Sequence, residues 1–168
     1  MVPTKKTTAK TAKKPVKRLS LANERQSALH EIQRYCVEKE MTPNGFNVCI
    51  TCGNIIDNAQ GGHFISRRYK ATELEEDNIH PQCPYCNQYR EGDPLKYRAN
   101  LMDLYGPAYV ERLENMRFAS EGSQEAMSQL SQEDLYKALH AKKTAKEYQA
   151  IKLKYRALRK ELKRERGY

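Results

Sequence analysis

Two pairs of cysteines constrain the fold of this chain more than any other feature of its sequence. Cys49 and Cys52 form one C-x2-C pair, Cys83 and Cys86 form a second, and 30 residues separate the two pairs. Each pair has the spacing to present two thiolates to one ion, and together they complete a tetrahedral all-cysteine zinc site. Two disulfides or four unrelated thiols are the alternatives. A four-thiolate site has no open position for water, so we expect this zinc to be structural.

The cellular compartment bears on which of these alternatives holds. The sequence has no apolar run near the roughly 18 residues that span a bilayer, and no apolar segment follows the first lysines as in a secretory signal. An import presequence would also be basic, but it would favour arginine over lysine. We therefore expect an intracellular, cytoplasmic protein with no membrane association, in which paired cysteines indicate metal binding. The fifth cysteine, Cys36, is most simply a small buried residue.

The positive charge of the chain is concentrated at its two ends. The formal net charge is +9, and 30% of all residues are charged. Residues 1–23 carry seven Lys or Arg and no acid, and residues 142–168 carry eleven against three Glu, so the middle is acidic overall. Clustered cations release counterions when they neutralise phosphates, which indicates a polyanion partner. Solvated tails that only maintain solubility are the other interpretation.

Turn and cap signals divide the chain into four segments. The first is a Lys/Thr/Ala-rich arm with little to bury, which we expect to be disordered and basic. A helix capped by Ser20 follows and runs to about Lys39. Short strands hold the cysteines, and then one helix begins at Asp93-Pro94 and a second ends near Phe118, with a break at Gly106-Pro107 between them. The last segment is a long basic helix capped by Ser131. The four segments are residues 1–19, 20–40, 46–118 and 131–166.

The last helix carries a short heptad-like seam. Its members are spaced 3, 4, 3 and 4 residues apart: Tyr148, Ile151, Tyr155, Leu158 and Leu162. Two heptads are few for a coiled coil, so we expect the seam to pack on the body of the same chain. A homodimer formed through the seam is the alternative.

The residues inside the zinc frame resemble a known nuclease motif. CITCG, then GGHF, then EDNIHPQCPYCNQY resembles the ββα-metal (His-Asn-His, or HNH) nucleases that carry a C-x2-C zinc clamp. The continuation EGDPLKYRANLMDLYG and the basic KEYQAIKLKYRALRKEL resemble the lambda-type phage NinG, or Rap, recombination endonucleases. The resemblance covers roughly residues 20–165 and is most specific over residues 49–98. It implies an α+β fold, with a zinc-stabilised HNH-like core flanked by helices.

The resemblance also implies the roles of three residues. His63 would be the general base that deprotonates water, and an unshifted imidazole can accept a proton at neutral pH. Asn78 would brace the loop between the strands and so orient that base. Asn87, at the start of a helix, would bind a catalytic Mg²⁺ or Mn²⁺ through its side-chain oxygen. His63 could instead be a residue outside the zinc shell or on the surface, and Asn87 could only cap a helix. His80 would be structural or would face a phosphate.

One position departs from the family pattern. Most ββα-metal nucleases place an aspartate before the base histidine as a second metal ligand, and this chain has Gly62 there. Asp57 could replace it if the turn folds back. Glu91 is another candidate, since it would lie one helical turn beyond Asn87. Asp93 would be committed to capping. The residues do not decide between these possibilities and a single protein ligand.

Basic residues next to the candidate base are candidates for phosphate contacts. On a strand, Arg67 and Arg68 would alternate, so that one faces the phosphate, and Lys70 follows them. A solvated basic turn is the alternative. Gly61 and Gly62 would let a DNA backbone approach closely. Further DNA contacts are expected from the basic residues of the arm, namely Lys5, Lys6, Lys13, Lys14, Lys17 and Arg18.

The resemblance implies a metal-dependent endonuclease of phage recombination that cuts branched DNA such as Holliday junctions or D-loops. Such an enzyme would act in the host cytoplasm, and a homodimer would suit two symmetric cuts. A non-catalytic zinc module that binds DNA is the second hypothesis, and the missing aspartate favours it. An HNH nuclease that cuts linear duplex DNA is the third.

Overall fold

The computed structural model describes residues 19–167, which form six helices and two small antiparallel sheets within that range. Residues 1–18 of the predicted disordered arm lie outside the described residues, and so do all of the arm's basic residues. The helices are α1 (Leu21–Lys39), α2 (Pro94–Tyr105), α3 (Pro107–Ser120), α4 (Gln124–Ser128), α5 (Gln132–Leu139) and α6 (Ala145–Arg166). The strands are β1 (Asn47–Val48), β2 (Ile55–Ile56), β3 (Gln60–His63) and β4 (Ile79–Gln82).

The two sheets lie at the centre of the sequence and carry the cysteines. In the first sheet, β1 pairs with β2. In the second, β3 pairs with β4, so that His63 lies opposite Ile79 and Gly62 lies opposite His80. A single 3-10 turn (Glu76–Asn78) leads into β4, and a π-helical turn (Tyr85–Tyr89) follows it. The fold therefore combines helices with small sheets, and a hairpin is followed directly by a helical turn.

Local signals in the sequence located several helix boundaries. The predicted first helix is confirmed as α1, with Ser20 at its N-cap. The Asp93 side chain accepts a hydrogen bond from the Lys96 N–H at the start of α2. Gly106 has φ of +85°, which glycine tolerates because it has no Cβ, and Pro107 begins α3. The predicted break between these two helices is thus confirmed.

The predicted continuous helix over residues 131–166 is wrong, because the structure divides this range into α5 and α6. The helix capped by Ser131 ends at Leu139, and a segment without helical hydrogen bonding follows. Thr144 then begins α6 with a capping box, in which its hydroxyl accepts from the Glu147 N–H and the Glu147 carboxylate accepts from the Thr144 N–H. The capping box satisfies backbone donors at the start of a helix, and so it specifies a new helix here.

The long helices α1 and α6 pack against each other over much of their length. Their contact includes Ile32 and Cys36 of α1, Ile79 of β4 and Tyr155 of α6 as buried residues. The heptad-like seam is therefore covered by the chain itself, as preferred from the sequence. Ion pairs border this interface, with Lys152 close to Glu24 and Arg159 bridging Glu31 and Glu38. None of the helices within residues 19–167 is both long and apolar enough to cross a bilayer.

Candidate active site

The four paired cysteines come together at one end of the sheets. Cys49 and Cys52 lie in the loop that joins β1 to β2, Cys83 follows β4, and Cys86 lies in the π-helical turn. Their four sulfur atoms all lie within 4.8 Å of one another. The sulfurs of Cys52 and Cys83 are 4.0 Å apart. The cluster therefore connects the first hairpin to the end of the second.

The donor set of this cluster fits a tetrahedral metal ion such as zinc. Zinc–thiolate bonds of about 2.3 Å place the sulfurs of a tetrahedral site about 3.8 Å apart, close to the separation seen between Cys52 and Cys83. Burial disfavours the Cys49 thiolate, but backbone N–H groups of Cys83, Cys52 and Thr51 outweigh this and lower the pKa of that thiol. The backbone nitrogen of Cys83 lies 3.3 Å from the Cys49 sulfur, to which it donates a hydrogen bond. Cys36 lies outside the cluster, buried in the interface of α1 with α6.

His63 ends β3 and lines a surface cavity of about 290 Å³. The same cavity is lined by Asn87 of the π-helical turn, by Arg67 and by Glu91. The register of β3 with β4 carries His63 to this wall, and the cysteine cluster holds the helical turn beside it. An imidazole, a carboxamide, a guanidinium and a carboxylate thus converge on one cavity.

A backbone contact fixes which nitrogen of His63 is available. Its Nε2 lies 3.0 Å from the carbonyl oxygen of Glu73, and since a carbonyl only accepts, Nε2 must donate. The neutral ring then carries its free lone pair on Nδ1. Burial lowers the pKa of His63 to about 4, with a smaller lowering by Arg67 and an opposing contribution from the Glu73 carbonyl. At neutral pH the ring is therefore an uncharged base with one assigned basic nitrogen.

Glu73 is a fully buried carboxylate at the centre of a network that the sequence analysis missed. Its carboxylate accepts hydrogen bonds from Arg25 of α1, Lys70 and Tyr148 of α6. Burial raises the pKa of Glu73, but these three donors outweigh it and the net shift is downward. A buried charge is tolerated only when it is paired in this way. The network holds the carbonyl group that orients His63.

Asn78 is buried and holds the two ends of the loop between β3 and β4. Its side-chain oxygen accepts from the Ile65 N–H at 2.7 Å. Its side-chain nitrogen donates to the carbonyl groups of Ile65 and Thr72. These are the bonds that a side chain bracing this loop would make, and the loop includes Glu73.

Asn87 is held by a single side-chain contact. Its side-chain nitrogen donates to Oε1 of Gln60, at the start of β3, over 2.8 Å. This leaves the Asn87 side-chain oxygen, the atom that would bind a cation, without a hydrogen-bond donor among residues 19–167. The alternative role of Asn87 as a helix cap finds no support, because the turn that contains it shows no side-chain cap hydrogen bond.

The structure separates the three carboxylates proposed as a second ligand. Glu91 lines the cavity of His63 and Asn87, whereas Asp57 lines an adjoining cavity that includes Asn87 but not His63. The predicted helical relation of Glu91 to Asn87 is wrong, because the π-helical turn ends at Tyr89 and Glu91 has φ of +50°. Asp93 is occupied by the α2 cap and by an ion pair with Arg90.

The basic residues after His63 lie in turns, so the predicted strand with alternating arginines is wrong. Arg67 nevertheless lines the cavity of His63, and Arg25 of α1 donates to its carbonyl group. Arg68 lines a different cavity and packs over the Tyr69 ring. Lys70 pairs with the buried Glu73 carboxylate at 3.0 Å, so its ammonium group is not available to bind a phosphate. Of the three, Arg67 alone faces the candidate site.

The role predicted for the two glycines is also wrong. A Cβ at Gly61 would lie 2.9 Å from the Gln33 Cα of α1, and a Cβ at Gly62 would overlap the buried Gln82 side chain. Both glycines are themselves buried. Their missing Cβ atoms permit β3 to pack on α1 and on β4, so the space that they leave is filled by the protein and not by DNA. His80 is likewise structural, since its ring is buried and bonds to Glu40.

Comparison with known proteins places this chain. A family model described as Bacteriophage Lambda NinG protein matches residues 3–143, most of the sequence. The chain belongs to the NinG family. The match includes the cysteine cluster, His63 and Asn87, and α6 lies beyond it.

Individual NinG proteins of phages are similar over a shorter stretch. Protein ninG of Salmonella phage P22 is 36% identical over 70 residues, which is 40% of this chain and 34% of that protein. Protein ninG of Escherichia phage lambda and that of Escherichia phage 933W are each 34% identical over 70 residues, with the same coverage. The aligned segment thus spans about a third of the length of these relatives. No solved structure matches the chain.

Proposed function

We propose that this NinG-family chain is a metal-dependent endodeoxyribonuclease that cuts branched DNA, such as Holliday junctions or D-loops, in phage recombination. The observation that carries the proposal is the shared cavity of His63 and Asn87, with Arg67 and Glu91 in its wall. The branched substrate and the ββα-metal classification rest on the resemblance to the NinG/Rap recombination endonucleases. DNA is the proposed partner whether the protein cuts it or only binds it.

In this proposal His63 activates the attacking water. Nδ1 takes a proton from water, the oxygen attacks the phosphorus in line with the 3′ oxygen, and the bond between phosphorus and that oxygen breaks. The departing 3′ oxygen takes a proton from solvent, so the products are a 5′-phosphate and a 3′-hydroxyl. The Glu73 carbonyl, through its bond to Nε2, supports the imidazolium that forms. Arg67 is placed to stabilise the anionic phosphate.

The cation site would be formed by the Asn87 side-chain oxygen, with Glu91 as the second protein ligand. Both are oxygen donors, which Mg²⁺ and Mn²⁺ prefer. When bound, the cation would neutralise charge on the phosphate and on the departing oxygen. The cysteine cluster would hold the structural zinc that fixes the helical turn of Asn87 against β3.

Cleavage of a four-way junction in Mg²⁺ or Mn²⁺ tests this proposal. The wild-type protein should cut it, and His63→Ala should bind it but fail to cut, with a rate loss of at least about a hundredfold. His140→Ala is the matched control, because that histidine is exposed and lines a different cavity. Cleavage that persists in His63→Ala would remove the assigned base. Equal cutting of linear duplex would favour the HNH nuclease of the third hypothesis.

A non-catalytic zinc-containing DNA-binding module is the second candidate. It is favoured by Gly62, where a carboxylate side chain would overlap Gln82, so the usual aspartate cannot be accommodated in this packing. Binding of the junction without cleavage in either metal, by wild-type protein with its zinc intact, would establish this alternative.

A further inference from the structure

A second cavity of about 590 Å³ adjoins the candidate active site. The two cavities share four lining residues, Gln33, Gly61, Arg67 and Asn87. The larger one runs along the exposed face of α1 and is bordered on its other side by the segment from Asp57 to Gly61. We call it the α1 groove. A DNA strand bound at His63 could therefore continue past these shared residues into the α1 groove.

The basic side chains on α1 that face this groove are His30 and Arg34. They lie one helical turn apart on α1, and both are exposed. Within residues 19–167 the side chains of His30 and Arg34 form no ion pair or hydrogen bond. The same holds for the side chain of Arg67, at the junction of the two cavities. Three nitrogen-bearing side chains therefore remain free to meet an anion along one continuous surface.

The acids around the groove do not cancel this charge. Glu38 lies in its wall but pairs with Arg159 of α6 at 2.6 Å. Asp57, at the opposite rim, is the other carboxylate among its lining residues. Gln33 donates to the Gly61 carbonyl at 2.8 Å, so it forms the wall between α1 and β3.

Several basic side chains of α6 that lie next to α1 already form ion pairs with glutamates of α1. Along the edge of α1 that faces α6, Lys152, Arg156 and Arg159 of α6 pair with glutamates of α1 at 2.5 to 2.7 Å. Lys163 lies 4.0 Å from Glu38. Part of the basic charge of α6 is thus used to attach it to α1. On α1 itself, Arg25 pairs with Glu73 and Lys39 with Glu76. Arg34, the remaining arginine of this helix, faces the groove.

We propose that the α1 groove binds the phosphate backbone of the DNA strand next to the scissile linkage, with Arg34 as the principal contact and His30 beside it. The position relative to the cut rests on the proposed function, since it takes the scissile phosphate to lie at His63. The binding itself needs no cleavage. Arginine suits this role because its guanidinium can contact two phosphate oxygens at once.

Equilibrium binding to a fluorescent four-way junction, measured over a range of salt concentrations, tests the inference. Arg34→Gln and Arg164→Gln are compared in the His63→Ala background, so that no substrate is cut. Arg164 is the matched control, because it is also an exposed arginine but lies on α6, away from the groove. Arg34→Gln should weaken binding about three- to tenfold and reduce the slope of log K against log salt by about one, as expected for one lost phosphate contact. Arg164→Gln should change neither quantity appreciably.

The outcomes separate this inference from the proposed function. Equal affinity and equal salt slope for Arg34→Gln and its parent would overturn the proposal that the α1 groove binds DNA. The same loss of affinity in Arg34→Gln and Arg164→Gln would also overturn it. If Arg34→Gln selectively loses affinity for the junction but the wild-type protein never cuts DNA, the groove would remain a DNA-binding surface and the nuclease function would be rejected. Thermal unfolding of Arg34→Gln should match the parent, because the side chain is exposed, and a large shift would count against a direct contact.

Discussion

The hydroxyl of Tyr148 donates a hydrogen bond to the Glu73 carboxylate over 2.5 Å, although 75 positions separate the two residues in sequence. The carbonyl of the same Glu73 accepts from the ring of His63. The C-terminal helix is thereby linked to the candidate base through one buried acid. Loss of this contact should disturb the orientation of His63 as well as the stability of the fold.

Tyr148→Phe should reduce the cleavage rate constant severalfold while leaving KM nearly unchanged, because it alters the support of the base and not the DNA-binding surface. It should also lower the free energy of unfolding by about 1–3 kcal/mol, the usual cost of losing a hydrogen bond to a charged group. Tyr155→Phe is the control, since Tyr155 donates to Glu76 at 3.0 Å from the same helix. It should lower stability without a matching loss of rate. Equal rate losses in both variants would reduce the role of Tyr148 to general stability.

The pKa of His63, lowered to about 4 by burial, makes a prediction about pH. Its NMR signals should not titrate near pH 6.5, where a histidine in a model peptide does. Because a general base acts in its neutral form, kcat/KM should stay level from neutrality down to roughly pH 5 and fall only towards the lower pKa. A titration midpoint near pH 6.5, by NMR or in kcat/KM, would contradict the buried, neutral imidazole.

The same shift affects stability. The folded protein binds fewer protons at His63 than the unfolded chain between about pH 6.5 and pH 4, so stability should fall as the pH falls through this range. The contribution is on the order of 3 kcal/mol in total. Urea denaturation should show a shallower dependence on pH in His63→Gln than in the wild type. Parallel curves for the two proteins would show that His63 contributes nothing to the dependence.

The cysteine cluster predicts about one tightly bound zinc per chain, measurable by elemental analysis. Cys86→Ala should lose that zinc and much of the folded structure around the strands, since a structural zinc contributes on the order of 10 kcal/mol. Cys36→Ala provides the control, because Cys36 is buried outside the cluster, in the interface of α1 with α6. This substitution should cost only about 1–2 kcal/mol and leave the zinc content complete. Loss of zinc in both variants would mean that the metal is not held by the four paired cysteines.

The two buried glycines predict different responses to a single methyl group. Gly61→Ala meets the backbone of Gln33 and should lower the free energy of unfolding by about 1–3 kcal/mol, through displacement of α1 from β3. Gln33→Ala should not relieve this, because the backbone and Cβ remain. Gly62→Ala meets the side chain of Gln82, so Gln82→Ala should partly relieve it in a double-mutant cycle. Purely additive effects in that second pair would contradict the packing described.

Local patterns in the sequence carried much of this structure. The spacing of the cysteines predicted that they could meet around an ion, because two residues in a C-x2-C turn are necessarily neighbours. Cap and break signals at Ser20, Asp93 and Gly106 predicted helix boundaries that the structure confirms. The same reasoning failed at Thr144, where a capping box within an apparently continuous helical pattern begins a new helix. The box, a Thr followed three residues later by Glu, was a readable signal.

What the sequence determined by itself is therefore local: which cysteines pair along the chain, where helices begin, and that one histidine precedes the second cysteine pair and one asparagine follows it. What the tertiary structure decided depends on residues that are distant in sequence. Glu73 looks like an ordinary surface acid until α1 and α6 enclose it, and the glycines look like an open approach until α1 packs on β3. The cations of α6 look free until the glutamates of α1 pair with them. The physical reason is that burial and charge pairing depend on which elements pack together, and residue spacing along one segment does not contain that information.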